Sequence, residues 1–537
     1  MNLHVTDLVP LPVLLPLLGA ALALAFRQSP RLQRGVSIAA LAAVVAVAGV
    51  LVWQTDVSGP QVLWLGAWQE PLGISLVADR LSALMLLVSA IVTLLVLVFA
   101  IGQGQADSDD ETSETPLTIF HPTYLVLSAG VSNAFLAGDL FNLFVGFEIL
   151  LFSSYVLITL GGSAARIHAG TTYVVVSLLS SALFLVGIAA VYAATGTVNL
   201  AQLSIRICDL APGVALVLQL CLLTAFAIKA AVFPMSAWLP DSYPTAPAPV
   251  TAVFAGLLTK VGVYAIIRLQ TLLFPESPLQ GLLMWAALLT MVIGILGAVS
   301  QSGLKRILSF TLVSHIGYMI FGIALATPEG TAGAIFYVAH HITIQTALFL
   351  ITGLVERLGG TTSLDRLGGL AVASPVLATL FFVSAMNLSG IPPLSGFLAK
   401  IGLLHAGIAV GTPLAWLLVV GGIVTSLLTL YALAKVWSQA FWRTLADAPR
   451  GADTVAALQD GTLDVEPATD PATAVAVDTS PRALPRTMLG ATAAMTAVGL
   501  LITLVAGPLF AYTQRAATDL MDRDPYVTSV LPPEVRR

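Results

Sequence analysis

Residues 226–266 read FAIKAAVFPMSAWLPDSYPTAPAPVTAVFAGLLTKVGVYAI. Lys229 and Lys260 each stand inside an apolar run, and a proline-rich stretch lies between them. The pattern returns at 387–404, NLSGIPPLSGFLAKIGLL, where Lys400 follows a second proline cluster. Glu148 has the same kind of setting at 143–152, LFVGFEILLF. The chain has five lysines, so most of them lie where lysine is least comfortable. A charge at the centre of a bilayer costs about 2.5–3.5 kcal/mol on insertion scales, and such residues face a bundle interior or a wet pathway. The charges could be structural ties between helices. A buried ionised pair, however, is often no better than a packed apolar one. The reading adopted is a series of titratable groups that passes protons or cations through a membrane.

Composition supports the membrane. Of 537 residues, 57% are hydrophobic and 9% charged, and the mean hydropathy is +0.94. Soluble domains carry about 25% charged residues. The sequence predicts an all-α polytopic membrane protein. Apolar runs long enough to span fall at 10–26, 35–53, 76–100, 119–138, 140–160, 169–194, 213–233, 248–270, 280–300, 307–326, 331–355, 372–408, 412–437 and 488–511, about fourteen helices. The 372–408 run is too long for one straight span, and IPP at 391–393 breaks it. The N-terminal MNLHVTDLVP lacks a basic region, so the first helix is expected to stay and insert with its N-terminus outside. Arg27, Arg31, Arg34, Arg166, Lys305, Arg306, Arg357 and Arg366 then fall inside. Arg206, Arg268 and the arginines of the tail fall outside, a positive-inside bias with both termini external.

Several classes are excluded. Cys208 and Cys221 form no CxxC or Cys/His cluster, so neither a metal site nor a disulfide framework is expected. There is no GxGxxG or P-loop, hence no expected cofactor, and no basic patch for nucleic acid. Two stretches read as solvated linkers: GQGQADSDDETSETP at 102–116 and the Ala/Thr/Asp/Pro-rich 438–487. The resulting division is 1–118 (three helices and the acidic loop), 119–270, 280–437, a linker at 438–487, a last helix at 488–511 and an external tail at 512–537.

Within this frame the chemistry-bearing residues can be placed. Glu148 lies about nine residues into its helix, about 13 Å deep. Lys229 is its natural counter-ion, and Lys260 sits near mid-depth of the 248–270 helix, too deep to snorkel. His340 and His341 fall in AIFYVAHHITIQTALFL, where His341 and Gln345 share a face. Lys400 follows the second helix break. Asp139, Asp241, His315 and Arg80 are read as nearer helix ends, where caps or interfacial charges are expected. AGLLTKVG at 255–262 and SGFLAKIG at 395–402 share G-x-L-x-K-x-G, a sign of duplication. Pro234, five residues after Lys229, and Pro392 and Pro393, before Lys400, mark breaks of the kind that build ion sites in transporters.

Four segments together resemble a known family: AGDLFNLFVGFEILLFSSYVLI (137–158), the 226–266 stretch, LKRILSFTLVSHIGYM (304–319) and NLSGIPPLSGFLAKIGLL (387–404). The family is that of the antiporter-like subunits shared by Mrp-type Na⁺/H⁺ antiporters and respiratory complex I. Within it the chain looks most like the D-type subunits of the Mrp branch. The resemblance implies two inverted five-helix repeats, helices 4–8 and 9–13, with broken helices 7 and 12. It implies Glu148 and Lys229 as a coupled pair, Lys260 with His340 and His341 as a central relay, and Lys400 as the exit group. Relatives often place a lysine where this chain has Gln345. The implied function is a transporter subunit in a bacterial plasma membrane that exchanges cytoplasmic Na⁺ for external H⁺. The implied partners are the A, B, C, E, F and G subunits and membrane lipid. The alternative is a proton-pumping subunit of a complex I-like NADH–quinone oxidoreductase or a related membrane-bound hydrogenase.

Overall fold

Lipid offers backbone amides no partners, so a chain this apolar must satisfy them within helices. The computed structural model describes residues 5–68, 73–104, 119–160, 164–449 and 484–531. Among these, twelve helices are long and apolar enough to cross a membrane. The N-terminal part comprises α1 (Leu11–Ala25), α2 (Pro30–Ser58), a hairpin of β1 (Gln61–Trp64) and β2 (Ser75–Ala78), and α3 (Arg80–Gln103). Next come α4 (Phe120–Leu136), α5 (Leu140–Thr159), α6 (Ala164–Thr195), the short α7 (Leu200–Arg206) and α8 (Pro212–Ala230). At 17 residues α4 is shorter than the helices counted as spans.

The 226–266 stretch folds as its prolines dictate. α8 stops at Ala230, Ala231 takes a left-handed conformation (φ 57°), and the chain turns before α9 (Trp238–Ser242). α10 (Ala248–Val253) and α11 (Thr259–Arg268) then form one long rod with wider π turns at Phe254–Leu258 and Leu269–Leu273. The second half contains α12 (Gln280–Ser300), α13 (Leu304–Ala324), α14 (Pro328–Gly359) and α15 (Leu370–Ala373). The expected 372–408 segment is split into α16 (Pro375–Ser389) and α17 (Ser395–Val410) by Gly390–Leu394. α18 (Pro413–Val436) continues as a helical turn to Trp442, past the expected start of the second linker. Most of both linkers, at 105–118 and 450–483, lies outside the described residues.

The rods differ in how much they hide. Every residue of α14 from Gly330 to Val355 is buried, and so is every residue of α10 and α11. α1, α2, α6 and α18 instead expose leucines, valines and tryptophans such as Leu18, Trp53, Leu179 and Leu427. In lipid that surface carries no penalty, so the enclosed rods are where polar side chains can sit.

One face is capped. The β1–β2 hairpin joins the chain between α4 and α5 through a Leu76–Ala137 bridge, and Asp139 bridges to Asn199. α19 (Arg486–Leu504) and α20 (Ala506–Asp522), interrupted at Val505, run along α3, with Met488 near Gly102 and Tyr512 bonding Arg80 O. Beyond 511, read from sequence as a tail, the chain stays helical through the rest of α20 and α21 (Asp524–Val530). Arg80 ties this end down by pairing with both Asp56 and Asp519, and Arg515 pairs with Asp56 at 2.8 Å.

Candidate functional site

Three helices build the first group. α5 brings Glu148, α6 brings Ser181 and α8 brings Lys229 in its last turn. The sequence reading makes Lys229 the counter-ion of Glu148, and the structure joins the two through a third side chain. Ser181 Oγ stands between the two, donating to Glu148 Oε1 and accepting from Lys229 Nζ at 3.0 Å. A hydroxyl can do both at once. Lys229 also lies 4.8 Å from the centre of the Phe147 ring, a cation–π contact. Beside it is a cavity lined by Phe147, Ser177, Ser180, Lys229, Trp238 and Tyr243. It has about 20 Å³ for water centres, and one water needs roughly 10–15 Å³. Lys229 is buried, whereas Glu148 is only half-buried on the side of α5 away from the core.

Lys260 is fully enclosed, and its Nζ donates to Ala255 O. Ala255 belongs to the π turn, where the widened backbone leaves a carbonyl available. Gly262 explains how α11 can lie so close to α8: a Cβ there would fall 2.7 Å from Ala230 N. The backbone just after Lys229 thus packs directly against that just after Lys260.

The histidines form a ring cluster. The rings of His341 and His315 lie 5.2 Å apart, tilted by 45°, and Tyr337 lies 2.9 Å from His315 Nδ1 through its hydroxyl. His315 Nε2 reaches Thr429 of α18 at 3.4 Å. The sequence reading puts His315 near a helix end. It lies in the middle of α13 (Leu304–Ala324), wholly buried. His340 points elsewhere, as adjacent helix positions must, with Nδ1 2.9 Å from Ser395 Oγ. Gln345 donates from Nε2 to Leu308 O at 2.8 Å.

Lys400 sits early in α17 against the end of α16. Its Nζ donates to Leu388 O (3.1 Å), Ser389 O (2.9 Å) and Ser426 Oγ (3.0 Å), and lies 5.2 Å from the Tyr318 ring centre. Those carbonyls are free because α16 ends at Gly390, which takes φ 85°. Pro392 and Pro393 prevent the helix from continuing, as Pro234 does beyond α8.

The remaining candidates serve local structure. Asp139 caps α5, its Oδ1 accepting from Asn142 N at 2.6 Å. Asp241 is exposed and pairs with Arg306 at 3.1 Å. Nothing in the sequence singles out Ser181, Tyr337, Ser389 or Ser426 as contacts. Each is an ordinary polar residue in an apolar helix, and only packing gives it a partner.

Fold and site define a class: a multispan helical membrane protein with buried lysines and histidines and a half-buried carboxylate tied to one of the lysines. The chain belongs to the family described as NADH:quinone oxidoreductase/Mrp antiporter, transmembrane, which matches residues 137–429. It is 42% identical over 439 residues to the D-type subunit of the Na⁺/H⁺ antiporter of Alkalihalophilus pseudofirmus, covering 81% of this chain and 87% of that one. It is similar to a chain in the structure of the Mrp complex from Dietzia sp. DQ12-45-1b, with TM-score 0.87 and 34% identity over 99% of this chain and 100% of that one. A chain of respiratory complex I from Thermus thermophilus with bound NADH is more distant, with TM-score 0.73 and 25% identity over 96% and 99%.

Proposed function

We propose that this chain is the D-type subunit of an Mrp-type cation/proton antiporter. It sits in a bacterial plasma membrane with both termini outside, among subunits of the A, B, C, E, F and G types. The two inverted five-helix repeats, helices 4–8 and 9–13, are part of this reading. The observation that carries it is the Glu148–Ser181–Lys229 bridge in a chain 42% identical to the D-type subunit of an Na⁺/H⁺ antiporter. An acid and a base joined by one hydroxyl can hand a proton over through it. Lys260, His341, His340 and Lys400 continue the line, with His315 and Tyr337 beside it. The chain serves as a transporter subunit rather than a catalyst. It moves protons inward as the complex expels Na⁺.

The test uses the whole complex in vesicles that carry a pH-sensitive dye. Addition of Na⁺ should dissipate an imposed proton gradient with wild-type chain and not with Glu148→Ala at equal assembly. Wild-type exchange by an assembled Glu148→Ala complex would sink the assignment. The likeness to the Thermus complex I chain favours a second reading, a pumping subunit of a redox enzyme. Co-purification with iron–sulfur or flavin proteins in mild detergent, instead of with small antiporter subunits, would select it.

A further inference from the structure

Lys260, Tyr264 and Arg268 recur every fourth residue along α11 and so share one face. That face runs from the enclosed centre to the surface that carries the hairpin and the C-terminal helices. Arg268 is only 4% exposed. Its guanidinium meets Asp79 as a fork: Nη2 donates to Oδ1 at 2.6 Å and Nη1 lies 2.6 Å from Oδ2. Nε donates to Tyr264 Oη at 3.0 Å, and Tyr264 donates in turn to Phe135 O at 2.7 Å. The rings of Tyr264 and Tyr526 each lie 5.2 Å from the guanidinium carbon.

Tyr526 arrives from α21, far along the chain, and is buried. Its hydroxyl makes no hydrogen bond among the described residues, so the ring is what Arg268 contacts. Around this contact is a recess lined by Asp79, Arg268, Leu272, Asp519, Arg523 and Tyr526. It offers about 10 Å³ for water centres, at the threshold for a single water. The backbone beside it is irregular, since the π turns Phe254–Leu258 and Leu269–Leu273 flank α11. Such turns are frequent at functional sites.

We propose that Arg268, Asp79 and Tyr526 form a gate between Lys260 and this face, with the α20–α21 segment as its lid. The proposal rests on Lys260 being part of the proposed relay. A guanidinium does not give up its proton, so Arg268 is a positioning residue and not a carrier. Asp79 neutralises it and the two rings clamp it across the route. With the lid down, water does not pass the recess to Tyr264, one helical turn from Lys260. When Tyr526 lifts, water fills the recess, and Lys260 exchanges its proton with that face. The Arg80–Asp519 and Arg515–Asp56 pairs hold the lid's root on α20, and the proposed motion is confined to α21.

The test is the passive proton leak of vesicles holding the whole complex, measured with no Na⁺ present and scaled to assembled complex. Tyr526→Ala should raise the leak about thirty-fold, the factor that corresponds to the roughly 2 kcal/mol of a desolvated cation–π contact. Tyr526→Phe keeps the ring and should leak like wild type. Wild-type leak in assembled Tyr526→Ala would overturn the gate. Where Tyr526→Ala does not assemble, Leu272→Cys decides, with Cys208 and Cys221 first replaced by serine. An impermeant thiol reagent should label it several-fold faster while a pH gradient drives exchange, and unchanged labelling would overturn the proposal. The leak needs no Na⁺. Failure of the antiport reading would show as wild-type vesicles that do not exchange, and failure of the gate as a lid variant that does not leak.

Discussion

Lys229 closes a helix beside a carboxylate, and Lys400 opens one beside two carbonyls. In the first half, Ser181 joins Lys229 to Glu148, so acid and base share one hydrogen-bonded unit. In the second half, Lys400 is held by Leu388 O, Ser389 O and Ser426. Those carbonyls form the negative end of the α16 dipole, which favours a cation there. The two proline breaks thus make different sites. One keeps a proton within a pair. The other has a seat for a charged lysine and, among the described residues, no carboxylate bonded to it. In the proposed relay the first site can switch internally, while Lys400 must receive and lose its proton through neighbours such as Ser426 and the histidine cluster.

That contrast can be broken in five places. The largest effect should come from Glu148→Ala, which leaves Lys229 without its acid. Na⁺-driven exchange should fall at least about 100-fold, in the range lost when a proton-transfer group is removed. Glu148→Asp should retain part of it, and equal loss in both variants would make geometry, not charge, the requirement. Lys400→Arg comes next. Arginine satisfies the carbonyls but cannot deprotonate, so exchange should fall nearly as far as in Lys400→Ala. Full exchange would mean that the second site only needs a fixed charge, and the halves would then differ in kind.

Ser181→Ala removes the bridge and keeps both charges. A hydrogen bond to a charged group contributes about 1.5–3 kcal/mol, so a loss of roughly ten-fold or more is expected in the exchange assay. Unchanged exchange would show that Glu148 and Lys229 act without their link. Gln345→Lys should restore a few-fold of the exchange lost in His341→Ala, one helical turn away. No rescue would place the central step elsewhere, with His315 and Tyr337 the next to test.

Asp139→Asn should have the smallest effect, because this other carboxylate of the first half caps a helix outside the bridge. Exchange should stay at wild-type level. Burial pushes the Asp139 carboxyl up to about 6, against two backbone hydrogen bonds that lower it. A raised carboxyl binds its proton more tightly in the folded state, so its contribution is lost as pH rises through about 6. The thermal stability of Asp139→Asn relative to wild type should therefore be more favourable at pH 8 than at pH 5. An exchange defect in this variant would extend the first site to the start of α5.

Much of this is legible in the residues alone. The buried lysines and Glu148 stand out because the sequence around them is so apolar, and the prolines announce both breaks. What cannot be read there is the layer between them. Ser181 is one of several serines in α6, and which one meets Lys229 depends on how α6 packs on α8. His315 is read as a helix-end residue, yet the 307–326 run already puts it about nine residues in. The helix start at Leu304, after Gly303, puts that histidine well inside. Carbonyl partners are invisible in a sequence, since every residue has one. Only the π turn at Ala255 and the αL residue at Gly390 decide which are free.

The ties at the capped face also bear on how the chain is made. Arg80 and Asp519 are separated by 439 residues. On a ribosome, α3 is complete long before its partner exists. Arg80 then has Asp56 alone, and Asp79 and Arg268 have no Tyr526 above them. Of the helices described, α20 and α21 emerge latest, and they are the ones that lock the earliest. A nascent chain cut short after α18 would hold every lysine of the proposed relay yet leave that face unsealed, a difference that membrane quality-control proteases could sense.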